Sequence, residues 1–132
     1  MLNVKGNIMR ENKFKVFDKI TNEIYQVSEL ELEGTHHYCY NEELEYLHVI
    51  TDNCILMQYT GLKDKNGVEI YEGDIIKLYG LPNAHFQVVF KNQYMGGWIL
   101  MHKKNEVSLG ALDKNELKVV GNIYENPELL EK

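Results

Sequence analysis

Three groups of residues have side chains that chemistry could use. The first is acidic: Asp64, Glu69, Glu72 and Asp74 fall within one short block. A general acid and a general base would have to meet there, since proton transfer needs two titratable groups within reach of one substrate. No nucleophile and no His lies nearby in sequence, so local turn structure is the better expectation: Asp74 bonds backbone, while Glu69 and Glu72 face water. The second group is Thr60-Gly61-Leu62-Lys63-Asp64-Lys65-Asn66-Gly67, which places Gly and Lys together as a phosphate-cradling loop does. It lacks Gly-Lys-Ser/Thr, and a strand rather than a helix is expected after it, so no helix N-terminus is present to hold phosphate. A hairpin turn is the reading. The third group, His36, His37, Cys39, His48 and Cys54, holds metal-ligand atoms without a Cys-x-x-Cys or His-x-x-x-His pair to make chelation local. Buried thiols and surface histidines are expected. These residues imply no catalytic group, no cofactor and no metal.

Aromatic residues are the remaining candidates: Tyr59, Tyr71, Tyr79, Phe86, Phe90, Tyr94 and Trp98. Phe86, Phe90 and Trp98 are assigned to a core, the default for large rings. Tyr71, Tyr79 and Tyr94 stand beside turns or opposite core positions and are the expected interface.

The chain has 132 residues, 44% of them hydrophobic, with nine Tyr that lean its composition toward sheet. No apolar run approaches the roughly 20 residues of a membrane-spanning helix. The N-terminus has no long apolar stretch of a secretory signal, so the expected location is intracellular, in the cytoplasm. Two cysteines in a reducing compartment read as thiols rather than as a disulfide. The net charge of −6 is uneven: residues 1–58 carry five Lys/Arg against ten Asp/Glu, net −5, and residues 59–132 carry nine against ten, net −1. Residues 29–45 hold six Glu and no Lys or Arg. Such acidity disfavours nucleic acid, whose affinity rests on cations displacing counterions. A solvated strand face that resists edge pairing explains it more simply.

Alternation and turn signals place these residues on strands. Phe14 to Phe17 reads as a first strand and Glu29 to Glu33 as a half-exposed one, with Leu30 and Leu32 on one face. Residues 44–50 fit strand and helix periods equally, and their type stays open; residues 54–57 read as a buried strand. Asn66-Gly67 marks a tight turn because both residues tolerate positive φ. Glu72-Gly73-Asp74 turns the chain into a strand, with Gly73 supplying special backbone angles and Asp74 bonding the following backbone. There Ile76 and Leu78 face one side, Lys77 and Tyr79 the other. Phe86, Val88 and Phe90 alternate cleanly. Further strands are expected at residues 98–101, 107–112 and 117–124, and Asn126-Pro127-Glu128 announces a short helical turn at the end. The fold class is therefore mainly β. A small SH3-like or related β-barrel, closed or nearly so, occupies the C-terminal half (59–132), with N-terminal strands (9–58) packed on it. No Pro-, Gly- or Ser-rich linker separates the halves, so residues 1–132 read as a single domain with one core.

Three blocks of the chain resemble the YopX family of phage and prophage proteins: residues 9–19, Met-Arg-Glu-Asn-Lys-Phe-Lys-Val-Phe-Asp-Lys; residues 57–78, which contain Asn66-Gly67 and Glu72-Gly73-Asp74; and residues 119–130, Val-Val-Gly-Asn-Ile-Tyr-Glu-Asn-Pro-Glu-Leu-Leu. Phe17 stands where the family usually has Trp, and residues 1–8 precede the family opening as an extension. The resemblance implies a phage or prophage origin, a mostly β fold and self-association. It carries no catalytic residues. The expectation is a non-enzymatic accessory protein that binds protein, its own copies included. The alternative is single-stranded nucleic-acid binding by an aromatic face, which requires Lys63, Lys65, Lys77, Lys91, Lys103 and Lys104 to gather on one side.

Overall fold

The computed structural model describes residues 13–29, 36–40, 46–50, 53–91 and 97–131. The chain divides into two compact units, residues 1–59 and 60–132.

In the first unit, β1 (Phe14–Asp18) and β2 (Glu23–Glu29) form a hairpin. Asp18 closes it: its Oδ1 accepts the Ile20 N–H at 2.9 Å and its carbonyl accepts the Asn22 N–H, with Asn22 at φ +59°. Asn is one of the few side chains that accept that angle. β3 (His36–Tyr40), β4 (Tyr46–Ile50) and β5 (Cys54–Lys63) complete the antiparallel order β4-β3-β2-β1-β5. Residues 46–50, which satisfied both periods, are thus a strand. Val16, Tyr25, Val27 and Cys39 form the core of this unit, with Phe14 and Cys54 packed against it. The expected alternation at residues 30–33 lies outside the described residues.

β5 continues past Tyr59, and its last residues lie beside β6 (Glu69–Tyr71), joined by the Thr60 hydroxyl donating to the Ile70 carbonyl at 2.8 Å. The rest of the second unit is a five-stranded antiparallel sheet: β7 (Asp74–Leu78), β8 (Leu81–Lys91), β9 (Gly97–His102), β10 (Asn105–Ser108) and β11 (Leu117–Asn122), in the order β10-β9-β8-β7-β11. The sheet is open, with β10 and β11 at its edges, so the closed barrel expected from the even strand spacing does not form among the described residues. The fold is mainly β, in two antiparallel sheets. Its helical pieces include 3-10 turns at Leu109–Ala111, Lys114–Glu116 and Pro127–Glu131.

Alternation decides the core of this unit. Ile70, Ile76, Leu78, Phe86, Val88, Leu100, Leu109 and Leu117 bury together. Two details depart from the sequence pattern. Phe90 continues the Phe86–Val88 period yet is 47% exposed, meeting Trp98 edge-on at 5.1 Å near the end of β8. The strand expected at 107–112 ends at Ser108, where Leu109 turns inward on a 3-10 turn and is fully buried. No helix among the described residues is long and apolar enough to cross a membrane.

Candidate functional site

Asp64 ties together two distant segments of the second unit. Only 1% exposed, its Oδ1 accepts the N–H groups of Asn66 (2.8 Å) and Val68 (3.0 Å), and its Oδ2 accepts that of Val119, 55 residues away, at 2.9 Å. The Gly67 N–H closes the turn onto the Asp64 carbonyl, and the Asp64 N–H donates to the Val68 carbonyl. Asp at the first turn position and left-handed Gly at the fourth make a longer hairpin loop than the two-residue one that Asn-Gly signals. Gly67 accordingly has φ +81°, while Asn66 is not at positive φ.

The second turn of the 57–78 block is equally self-contained. Gly73 has φ +89°, a conformation costly for any residue with a Cβ. Asp74, 6% exposed, accepts the Tyr71 N–H at 2.8 Å, a bond that runs back across the turn. Tyr71, expected at an interface, is fully buried, and its hydroxyl donates to Glu69 at 3.3 Å. Glu69 is therefore a hydrogen-bond acceptor rather than a freely solvated acid. Tyr94 lies outside the described residues. Of the four acids of this block, Asp64 and Asp74 hold backbone.

Tyr79 behaves differently. It occupies the two-residue turn between β7 and β8, and its side chain is 80% exposed. Its backbone is fixed nonetheless, because its N–H donates to the Glu116 carbonyl at 3.0 Å. The Lys65 N–H likewise donates to the Leu117 carbonyl at 3.1 Å. With the bond from Val119 to Asp64, residues 116–119 tie down both the 64–68 loop and the Tyr79 turn. Between them lies a groove of about 200 Å³, lined by Lys65, Lys77, Leu78, Tyr79, Glu116 and Lys118, with Pro82 at its rim. The Lys65 ammonium sits 5.8 Å from the centre of the Tyr79 ring, within cation–π range.

The groove is basic by its register. Lys118 on β11 pairs directly with Lys77 on β7, and Lys77 pairs on its other side with His85 on β8. Directly opposed residues project from the same face, so three cation-capable residues form one cross-strand row. Among the described residues neither Lys77 nor Lys118 has an ion-pair partner. Glu116 is the one acid in the lining, and its Oε1 accepts the Asp113 N–H at 3.3 Å in a capping box. Of the cations named from sequence, Lys65 and Lys77 converge here, whereas Lys91 pairs with Glu106. Lys118 was missed. Only the pairing of the first and last strands of the sheet brings it in, and no local pattern encodes that.

Cys39 is buried and Cys54 half-buried, and neither forms a disulfide. Burial raises the Cys39 pKa to about 11, with smaller contributions from Cys54 and Asp18. Cys54 is raised by burial too. The backbones of His36, His37 and His48 lie on β3 and β4, with His48 opposite Tyr38. Among the described residues, no three His, Cys, Asp or Glu side chains are grouped to hold a metal.

No curated protein matches the chain. Among solved structures it is similar to protein EF1440 from Enterococcus faecalis, at 26% identity over 92% of this chain and 99% of that one, with a TM-score of 0.62. It also shares its fold with protein yopX from Bacillus subtilis, at 19% identity over 91% and 96% of the two chains, with a TM-score of 0.56. The model of the YopX protein family matches residues 13–131, and the chain belongs to that family.

Proposed function

We propose that this chain is a phage- or prophage-encoded accessory protein of the host cytoplasm that works without catalysis, by binding protein, its own copies included. The observation that carries this reading is Tyr79: a large ring 80% exposed on a backbone already fixed by a hydrogen bond. A rigid amphipathic ring loses little conformational entropy on docking, which is why Tyr is enriched where proteins meet. Leu81, 52% exposed two residues further on, extends the apolar surface. The strand order β10-β9-β8-β7-β11, with 3-10 turns just before β11, supports an SH3-like arrangement, a scaffold suited to presenting aromatics to peptides. The non-enzymatic part is supported by Asp64 and Asp74, whose carboxylates bond backbone rather than open into the groove. Light scattering at micromolar concentration should report assemblies larger than one chain. A strict monomer from which infected cells yield no bound protein would reject the proposal.

A second reading, binding of single-stranded nucleic acid, is favoured by one feature: Lys65, Lys77 and Lys118 around an exposed ring. Stacking on a ring beside cations is the usual recipe for such binding. Its measure is titration of a fluorescent oligothymidylate at low salt, where counterion release is most favourable. No binding there eliminates it.

A further inference from the structure

The Lys77–Lys118 pair is the feature that folding leaves unexplained. Like charges directly opposite each other on one face of a sheet repel, and an uncharged side chain at either position would serve the strand better. The one acid in the lining is held by the Asp113 N–H. Next in the row stands His85, whose Nδ1 is buried without a hydrogen-bond partner among the described residues. A local rule broken without local compensation is what a binding site leaves in a sequence.

We infer that the groove around Tyr79 is a docking site for an acidic segment of a second copy of this chain. The inference rests on the protein-binding reading above and names its chemistry. Charge complementarity selects the occupant. Among the described residues Lys77 and Lys118 have no ion-pair partner, while residues 29–45 of the same sequence carry six Glu and no Lys or Arg. Glu29-Leu30-Glu31-Leu32-Glu33 repeats an acid at every second position. An extended chain of that pattern presents carboxylates about 6.7 Å apart, and adjacent strands place the row's cations roughly 5 Å apart. Lysine stems absorb that difference. Nucleic acid fits less well: a single-strand track stacks successive bases on several rings, whereas one Tyr lines this groove and the chain carries −6.

The test uses the full chain, a double variant (Lys77→Gln with Lys118→Gln), and a fluorescein-labelled peptide of residues 29–45. Assembly is followed by sedimentation velocity. The parent should assemble and bind the peptide more weakly as salt rises, and the double variant should do both at least tenfold more weakly. Its melting temperature should not fall below the parent's, because the substitutions remove a repulsion. A double variant that assembles like the parent overturns this inference and leaves protein binding by another face intact. A parent that stays monomeric overturns both self-association and the inference. Oligothymidylate that displaces the peptide and binds more tightly at equal salt assigns the groove to nucleic acid instead.

Discussion

Replacing Asp64 should unfasten the second unit more than any other single surface-loop change. Its carboxylate, 1% exposed, accepts three backbone N–H groups. Two of those amides belong to exposed residues, Asn66 and Val68, where water can replace the lost acceptor. The third, at half-buried Val119, has no such recourse. A hydrogen bond to a charged group contributes about 1.5–3 kcal/mol, and an orphaned donor away from water costs about 1–3 kcal/mol. Asp64→Ala should therefore destabilise by about 3–5 kcal/mol, less than the three bonds added naively because two donors rehydrate. Asp64→Asn keeps an oxygen for Asn66 and Val68 but turns an NH2 toward the Val119 N–H, so about 2 kcal/mol is expected. Urea unfolding followed by the fluorescence of Trp98, the one Trp and a residue of this unit, measures both. Amide exchange at Val119 should accelerate in either variant. If Asp64→Ala lies within about 0.5 kcal/mol of the parent, ordinary for a surface substitution, Asp64 does not fasten this unit.

Other outcomes follow from the same geometry. Gly73→Val places a β-branched residue at φ +89° and should cost more than the roughly 1 kcal/mol of an ordinary glycine replacement, read from the urea midpoint. Asp74→Ala orphans the buried Tyr71 N–H and should cost about 1–3 kcal/mol in the same assay. Cys39, its pKa raised from 9.0 to about 11, should resist iodoacetamide at pH 8 in the folded chain and react promptly in urea. Because the unfolded thiol ionises first, its contribution to stability is fully present below about pH 9 and is lost as pH rises toward 11, which pH-dependent unfolding would register.

Local periodicity and turn chemistry made much of the fold legible. Phe86 and Val88 announce an inward face, Gly67 and Gly73 announce left-handed turns, and Asn126-Pro127 announces the final 3-10 turn. What local signals omit is pairing between distant segments. The Asp64 bond to Val119 and the Lys77–Lys118 register both depend on β11 returning beside β7, so neither the fastening role nor the basic row could be read in advance. Tyr71 and Tyr79 show the same limit from the other side. Both flank turns, yet one is fully buried with its hydroxyl donated to Glu69, and the other stands in solvent. Burial is a property of the whole fold, and a turn signal alone cannot assign it.

The proposed binding role places the face that carries Tyr79 at the contact between chains. Hydroxyl-radical footprinting across a concentration series measures it most directly, because the ring is 80% exposed in the single chain and reacts in proportion to its access. If docking uses this face, Tyr79 oxidation falls as concentration rises, in step with assembly, while Tyr71 stays unreactive throughout. Tyr79 oxidised at the same rate in the dilute chain and in the assembled one would contradict it.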